Sequence, residues 1–141
     1  MIMSKKHMKL SAHPRLYIGA QELKRLHSQK EKEFHRSADK LLIAEGRRHV
    51  KNPEVVYKKN CHNEHLSRAR AMQKKIVTLI TCWMLNNRDD FRSAAMDSIK
   101  EMAEWQNWSW IAWRKGDNDP ASIFDLSYGE NSATLAIAYD L

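Results

Sequence analysis

Three tryptophans stand within six residues, Trp108, Trp110 and Trp113, and Arg114 and Lys115 follow directly. Indole faces stack on sugar rings and bases, and guanidinium and ammonium groups pair with carboxylate or sulfate. That combination suits an acidic ligand built of rings. Connections between helices normally run exposed and polar, so a run this aromatic is unusual in one. The structural alternative is that a ring closes the end of a helical core, Trp105 or Trp108 first among them. Further on stand Asp125, Tyr128 and Glu130. Asp125 precedes an apolar run and reads as a helix N-cap. Glu130 lies inside that run, where a carboxylate must be paired or face a cleft. Tyr128 carries a phenol that can give or take a proton. Packing is the plainer role for each of these three taken singly.

A second constellation is Cys61-His62-Asn63-Glu64-His65, which holds metal-type ligands close together. Tetrahedral sites usually draw ligands from two elements. No second cluster follows, because every histidine lies at or before position 65. The segment therefore reads as a polar loop entering a helix, and neither a metal site nor a cofactor is expected. Cys82 sits among apolar residues and reads as a buried thiol. The chain has no glycine-rich phosphate loop, no nucleophile elbow, no helical zinc motif and no recognition helix with base-reading side chains.

Helices must position these residues. After an extended entry at His13-Pro14-Arg15-Leu16-Tyr17-Ile18, Gly19 precedes a first helix carrying Glu22, Leu23 and Leu26. A second is expected from about Lys30 to Val50, its faces marked by Phe34, Ala38, Leu41, Leu42 and Glu45, and Asn52-Pro53 ends it. Met72, Ile76, Leu79, Ile80 and Trp83 recur on one face of a third, from about Glu64 to Leu85. Asn86-Asn87 turns the chain into a fourth helix opened by Asp89 and Asp90, with Phe91, Ala95, Ile99 and Met102 as its stripe. A long loop from Asn107 to Phe124 leads to a fifth helix starting at Asp125. That helix carries little charge after Glu130, so burial on most faces is expected. Four preceding helices cover only about half its perimeter, and it runs to Leu141 without a cap. The expectation is the first part of a larger helical protein, exposing an apolar face when alone.

With 141 residues the chain has the length of one domain, and its 43% hydrophobic and 29% charged residues exclude a disordered class. Four glycines and three prolines argue against a turn-rich β-sandwich. No run approaches the roughly 20 apolar residues that span a bilayer. Met1 to Leu10 carries three lysines and no apolar core, so no secretory signal is visible, and a trimmed secreted protein would look the same. Residues 1–70 hold 17 basic and 7 acidic groups against 7 and 10 in residues 71–141. That imbalance suits a polyanionic partner, although solvated helix faces would explain it equally.

Two segments together suggest a family. His13-Pro14-Arg15-Leu16-Tyr17, followed by Glu22-Leu23, resembles the opening HPRL-aromatic segment of the heparinase II/III-like polysaccharide lyases. Trp105 and Trp108, then Phe124-Asp125-Leu126, Gly129-Glu130 and Leu135-Ala136-Ile137-Ala138-Tyr139-Asp140-Leu141, resemble that family's tryptophan loop and its alanine-rich helix ending in AYDWL. The resemblance spans residues 13–141, but only its ends carry motifs.

It implies an all-α chain forming an incomplete α/α toroid of antiparallel helical hairpins, behind a leader at residues 1–12. It further implies cleavage of heparin-, heparan sulfate- or alginate-like glycans by β-elimination. In such chemistry a polar group neutralises the uronate carboxylate, which acidifies the C5 proton taken by a Tyr or His base. The family's catalytic Asn, His and Tyr lie downstream of AYDWL, so none is carried over, and this segment is expected to be inactive alone. Its HFLD motif stands here as Ile123-Phe124-Asp125-Leu126, without the His. Trp108, Trp110, Arg114, Asp125 and Glu130 are the residues expected to line the substrate cleft. The implied partners are an acidic polysaccharide and the rest of a toroid and β-sandwich, not nucleic acid or a membrane. The family is usually periplasmic or secreted. The rival expectations are a small helical module that binds polyanions without catalysis, and a scaffold whose Trp loop only packs.

Overall fold

The computed structural model describes residues 13–14, 16–29, 32–109 and 124–141. The expected leader at 1–12 lies outside them. Five helices follow in order: α1 (Ala20–Ser28), α2 (Glu33–Lys51), α3 (Glu64–Asn86), α4 (Asp89–Ala103) and α5 (Leu126–Asp140). No strand occurs among the described residues, which are all-α, as expected. No described helix is long and apolar enough to cross a membrane.

The hub is α3, which packs against α2, α4 and α5. Its buried face holds Met72, Ile76, Leu79 and Ile80, the stripe expected from their spacing. Phe91, Ala95 and Met102 of α4 complete the core. The α3–α4 turn is as tight as Asn86-Asn87 implies. Asn87 takes the left-handed conformation, φ 51°, and its N–H bonds the Trp83 carbonyl at 2.6 Å. Asn tolerates this region better than most residues because its short amide bonds locally.

The outer surface of α2 departs from expectation. Phe34 and Leu41 are 78% and 75% exposed, and the buried residues of this helix are Gly46 and His49. A methyl group is what separates glycine from every alternative at position 46. A Cβ there would lie 2.7 Å from the Cys82 sulfur and 3.0 Å from the Phe91 ring. The α2 backbone therefore rides directly on α3 and α4, and Cys82 donates its S–H to the Leu42 carbonyl at 3.3 Å. Burial pushes that thiol up to about 11, as suits the buried thiol read from the sequence.

In α5 the expectation of burial on most faces fails. Leu126 and Tyr139 are 69% and 78% exposed, and Ala133 and Ala136 share the outer side. The fully buried side is polar: Ser127, Asn131, Thr134 and Asp140. Small or internally bonded side chains let α5 approach α3 closely. Thr134 donates to the Glu130 carbonyl of its own helix at 2.7 Å, and Asn131 donates to the Trp108 carbonyl at 3.3 Å. The apolar face lacks a covering element among the described residues because α3 lies on the opposite side.

Candidate functional site

Three of the five residues expected to line a cleft can be placed. Trp108, Asp125 and Glu130 stand around the start of α5, while Trp110 and Arg114 lie outside the described residues. The described part of the Trp loop is held by backbone and side-chain bonds. The Trp108 indole N–H donates to the Met102 carbonyl at the end of α4, 2.9 Å away. Its ring meets Tyr128 at 6.0 Å between centroids, and Phe124 meets Tyr128 edge-on at 5.1 Å. This half-buried ring closes the end of the helical core, the packing role weighed in the sequence for Trp105 or Trp108.

Asp125 is the N-cap of α5. Its Oδ1 accepts the Tyr128 N–H at 3.0 Å and its Oδ2 accepts the Ser109 hydroxyl at 2.7 Å. One carboxylate thereby starts the helix and ties it to the loop leaving Trp108. Glu130 takes the first of the two options left to it: its Oε1 accepts from Arg70 Nε of α3 at 2.9 Å. Exposed pairs of this kind contribute about 0–1 kcal/mol, so orientation rather than strength is its part. Trp108 and Asp125 are linked through Tyr128, which the one meets by its ring and the other caps, while Glu130 turns to Arg70 of α3.

Two further clusters went unnoticed in the sequence. In the first, Arg68 lays its guanidinium over the Trp105 ring, 3.9 Å from the centroid, and donates from Nη2 to the Asn107 carbonyl at 2.8 Å. Its Nε is buried with no partner among the described residues. Lys59 lies over the Tyr57 ring at 5.5 Å. Tyr57, Lys59, Arg68, Trp105, Glu54 and Glu101 line an open cavity of about 340 Å³. The available signal was register: Arg68 stands four residues before Met72, in line with the apolar stripe of α3, so a charge there had to be held by something.

The second cluster joins His49 of α2 to Lys75 of α3. Lys75 is 3% exposed, donates to the Pro53 carbonyl and has Glu101 Oε2 at 4.0 Å. Burial lowers the pKa of Lys75, with Glu101 and Asp97 opposing. Burial likewise lowers that of His49, more than Glu45 raises it. Lys75 too was in register with a buried face, four residues before Leu79 and seven before Cys82.

Cys61 bonds the Lys58 carbonyl and the Asn63 amide oxygen, each at 3.4 Å. Among the described residues no three His, Cys, Asp or Glu side chains converge on one point. His65 Nδ1 lies 3.4 Å from Arg68 Nη2, and burial, then the Arg68 charge, lower its pKa.

These shifts set a pH dependence. His49 and His65 resist protonation in the folded chain, whereas the unfolded chain takes up protons near pH 6.5. Stability is therefore full above that value and falls as pH drops below it. Lower still, a second loss begins. Hydrogen bonds from Arg48 and Lys74 hold Glu45 down at about 2 instead of 4.5, so its contribution fades as pH falls from 4.5 towards 2. Urea titrations across this range are expected to show two descending limbs. His49→Gln should flatten the upper limb and Glu45→Gln the lower.

The segment that opens the described chain is tied to its far end. The fully buried Asp140 accepts from the Leu16 N–H at 2.8 Å and pairs with His13 Nδ1 at 3.1 Å. The His13 ring also meets Tyr139 edge-on at 5.0 Å. Compared with known proteins, the chain matches no family model, no curated protein and no solved structure.

Proposed function

We propose that the chain is the N-terminal part of an α/α toroid from a polysaccharide lyase acting on uronate-containing glycans, with the catalytic groups supplied from elsewhere. One observation carries this reading: Asp140 joins His13 and Leu16 to the end of α5. The two segments that resemble the heparinase II/III-like lyases thus act on each other through the side chains of His13 and Asp140 and the Leu16 backbone. Support comes also from the bare apolar face of α5, which a further helical hairpin would cover in a closed toroid. Trp108, Asp125 and Glu130 would then shape one wall of the cleft, with Trp108 and Asp125 acting as positioning residues. The Arg70 guanidinium that holds Glu130 is 60% exposed and is available to a substrate carboxylate or sulfate.

A second reading, a polyanion-binding helical module without catalysis, is favoured by the cavity around Lys59 and Arg68. Two cations lie there against aromatic rings, an arrangement that suits an acidic sugar whether or not it is cleaved.

The test assays the product of the gene's whole reading frame on heparin, heparan sulfate and alginate, following the ultraviolet absorbance of the unsaturated product. Isothermal titration of the same protein with each glycan and with double-stranded DNA runs alongside. Elimination on any of the glycans is the expected result. Binding without elimination overturns the lyase reading in favour of the module. Equal affinity for glycan and DNA, falling steeply with salt, reduces both to a general electrostatic surface.

A further inference from the structure

A cavity of about 360 Å³ opens between the end of α2 and one face of α4, away from Trp108, Asp125 and Glu130. Lys75 and His49 line it on one side. Asp90, Asp97 and Glu101 of α4 line it on the other, and Val50, Pro53 and Ala94 supply apolar wall. Two features point to a ligand rather than a packing defect. Lys75 is 3% exposed, yet among the described residues it has one hydrogen-bond acceptor, the Pro53 carbonyl, and one loose ion pair, with Glu101 at 4.0 Å. His49 is 8% exposed, and its Nε2 has no hydrogen-bond partner among the described residues, the Glu45 carboxylate standing 3.6 Å away. A buried nitrogen of this kind costs free energy unless something fills the need.

The walls define what fits. Three carboxylates repel phosphate, sulfate and carboxylate ligands. A buried amine favours its uncharged, nucleophilic form. We propose that this cavity is a binding site for a small uncharged aldehyde or ketone, which Lys75 captures as an imine. The amine nitrogen attacks the carbonyl carbon, forming the C–N bond as the C=O π electrons move to oxygen. That oxygen takes up a proton, and the nitrogen loses one to give a neutral carbinolamine. A second protonation lets the oxygen leave as water, and the nitrogen lone pair forms C=N. No oxidant or reductant takes part. His49, lining the same cavity, is the positioning and proton-carrying group. The charges that act on the amine are Glu101 and Asp97 of α4, with His49 and Asp90 in the same cavity, and His49 itself faces Glu45, Arg48 and Lys74.

The neighbouring Lys74 is an internal control, because its side chain is 67% exposed. The folded chain is treated at neutral pH with limiting propanal and cyanoborohydride, which fixes any imine as a secondary amine, and is mapped by peptide mass. Lys75 is expected to be propylated at least about threefold faster than Lys74. Each pKa unit of depression gives roughly tenfold more free amine, partly offset by lower nucleophilicity. Glyoxylate, an aldehyde with a carboxylate, should lose this preference. Glu101→Gln removes a partly exposed carboxylate that keeps the amine protonated, and should raise the Lys75 rate at neutral pH. Lys75 reacting no faster than Lys74 in a chain that circular dichroism shows folded overturns the proposal. So does an undiminished preference with glyoxylate, or Lys75 labelling only in denaturant.

Discussion

Gly46→Leu is expected to lose about 3 kcal/mol or more, a large share of the ~5–15 kcal/mol that holds a domain folded. Helix propensity argues the other way, since leucine is favoured over glycine by somewhat under 1 kcal/mol in a helix interior. Packing decides the sign. Even the first carbon of the new side chain would stand 2.7 Å from the Cys82 sulfur and 3.0 Å from the Phe91 ring. Both neighbours are fully buried, and neither is the free end of a flexible chain. Gly46→Ala tests the same contact more gently and is expected to lose about 1–2 kcal/mol net. Urea unfolding followed by circular dichroism gives the values. Cys82→Ala removes the nearer obstacle, so Gly46→Ala should cost less in that background than in the native one. Equal cost in both backgrounds would mean that α2 does not sit on the sulfur as described. A stabilised Gly46→Ala would mean that propensity outweighs the approach altogether.

Asp140→Ala is the second large effect. The carboxylate is completely buried and accepts from the Leu16 N–H and His13 Nδ1. Charge-assisted bonds of this kind contribute about 1.5–3 kcal/mol each. A loss of about 2–4 kcal/mol is expected, smaller than the sum because His13 and Leu16 are both partly exposed and regain water. Asp140→Asn keeps an acceptor for Leu16 and should fall between. The consequence reaches beyond stability. Tyr17 and Ile18 line an apolar groove with Leu23, Leu26, Met84 and Ile137, so releasing His13 and Leu16 frees the strap that borders it. Hydrogen exchange at the Leu16 amide reads this directly and should accelerate with Asp140→Ala more than amides in the middle of α3. Unchanged protection there, or a stability change below about 0.5 kcal/mol, would show that the tie carries no weight.

Several elements were legible because local physics fixed them. Met72, Ile76, Leu79 and Ile80 recur at helical spacing, and no other face of α3 offers as much apolar surface. Asn86-Asn87 marked a turn because one residue there must turn left-handed. Asp125 had a capping role written into its type and its place before an apolar run. Glu130 posed a question, paired or cleft-facing, that only the position of Arg70 across the α3–α5 contact could answer.

Other features depended on distance between helices, which a single chain of letters does not carry. The exposure of Phe34 and Leu41 and the burial of Gly46 and His49 follow from which side of α2 meets Cys82 and Phe91. Arg68 and Lys75 sit in line with buried residues, yet their type suggests solvent. Only the tertiary structure shows one laid on Trp105 and the other turned to the Pro53 carbonyl. In α5 hydrophobicity points the wrong way. Ser127, Asn131 and Thr134 are inside because small side chains and backbone bonds permit a close approach to α3, while Leu126 and Tyr139 face outward. Sequence by itself determined the helices, their order, the α3–α4 turn and the start of α5, because periodicity, capping and turn chemistry act within a few residues. Which faces meet, and so which polar groups are buried together, was decided by packing between residues far apart in the chain.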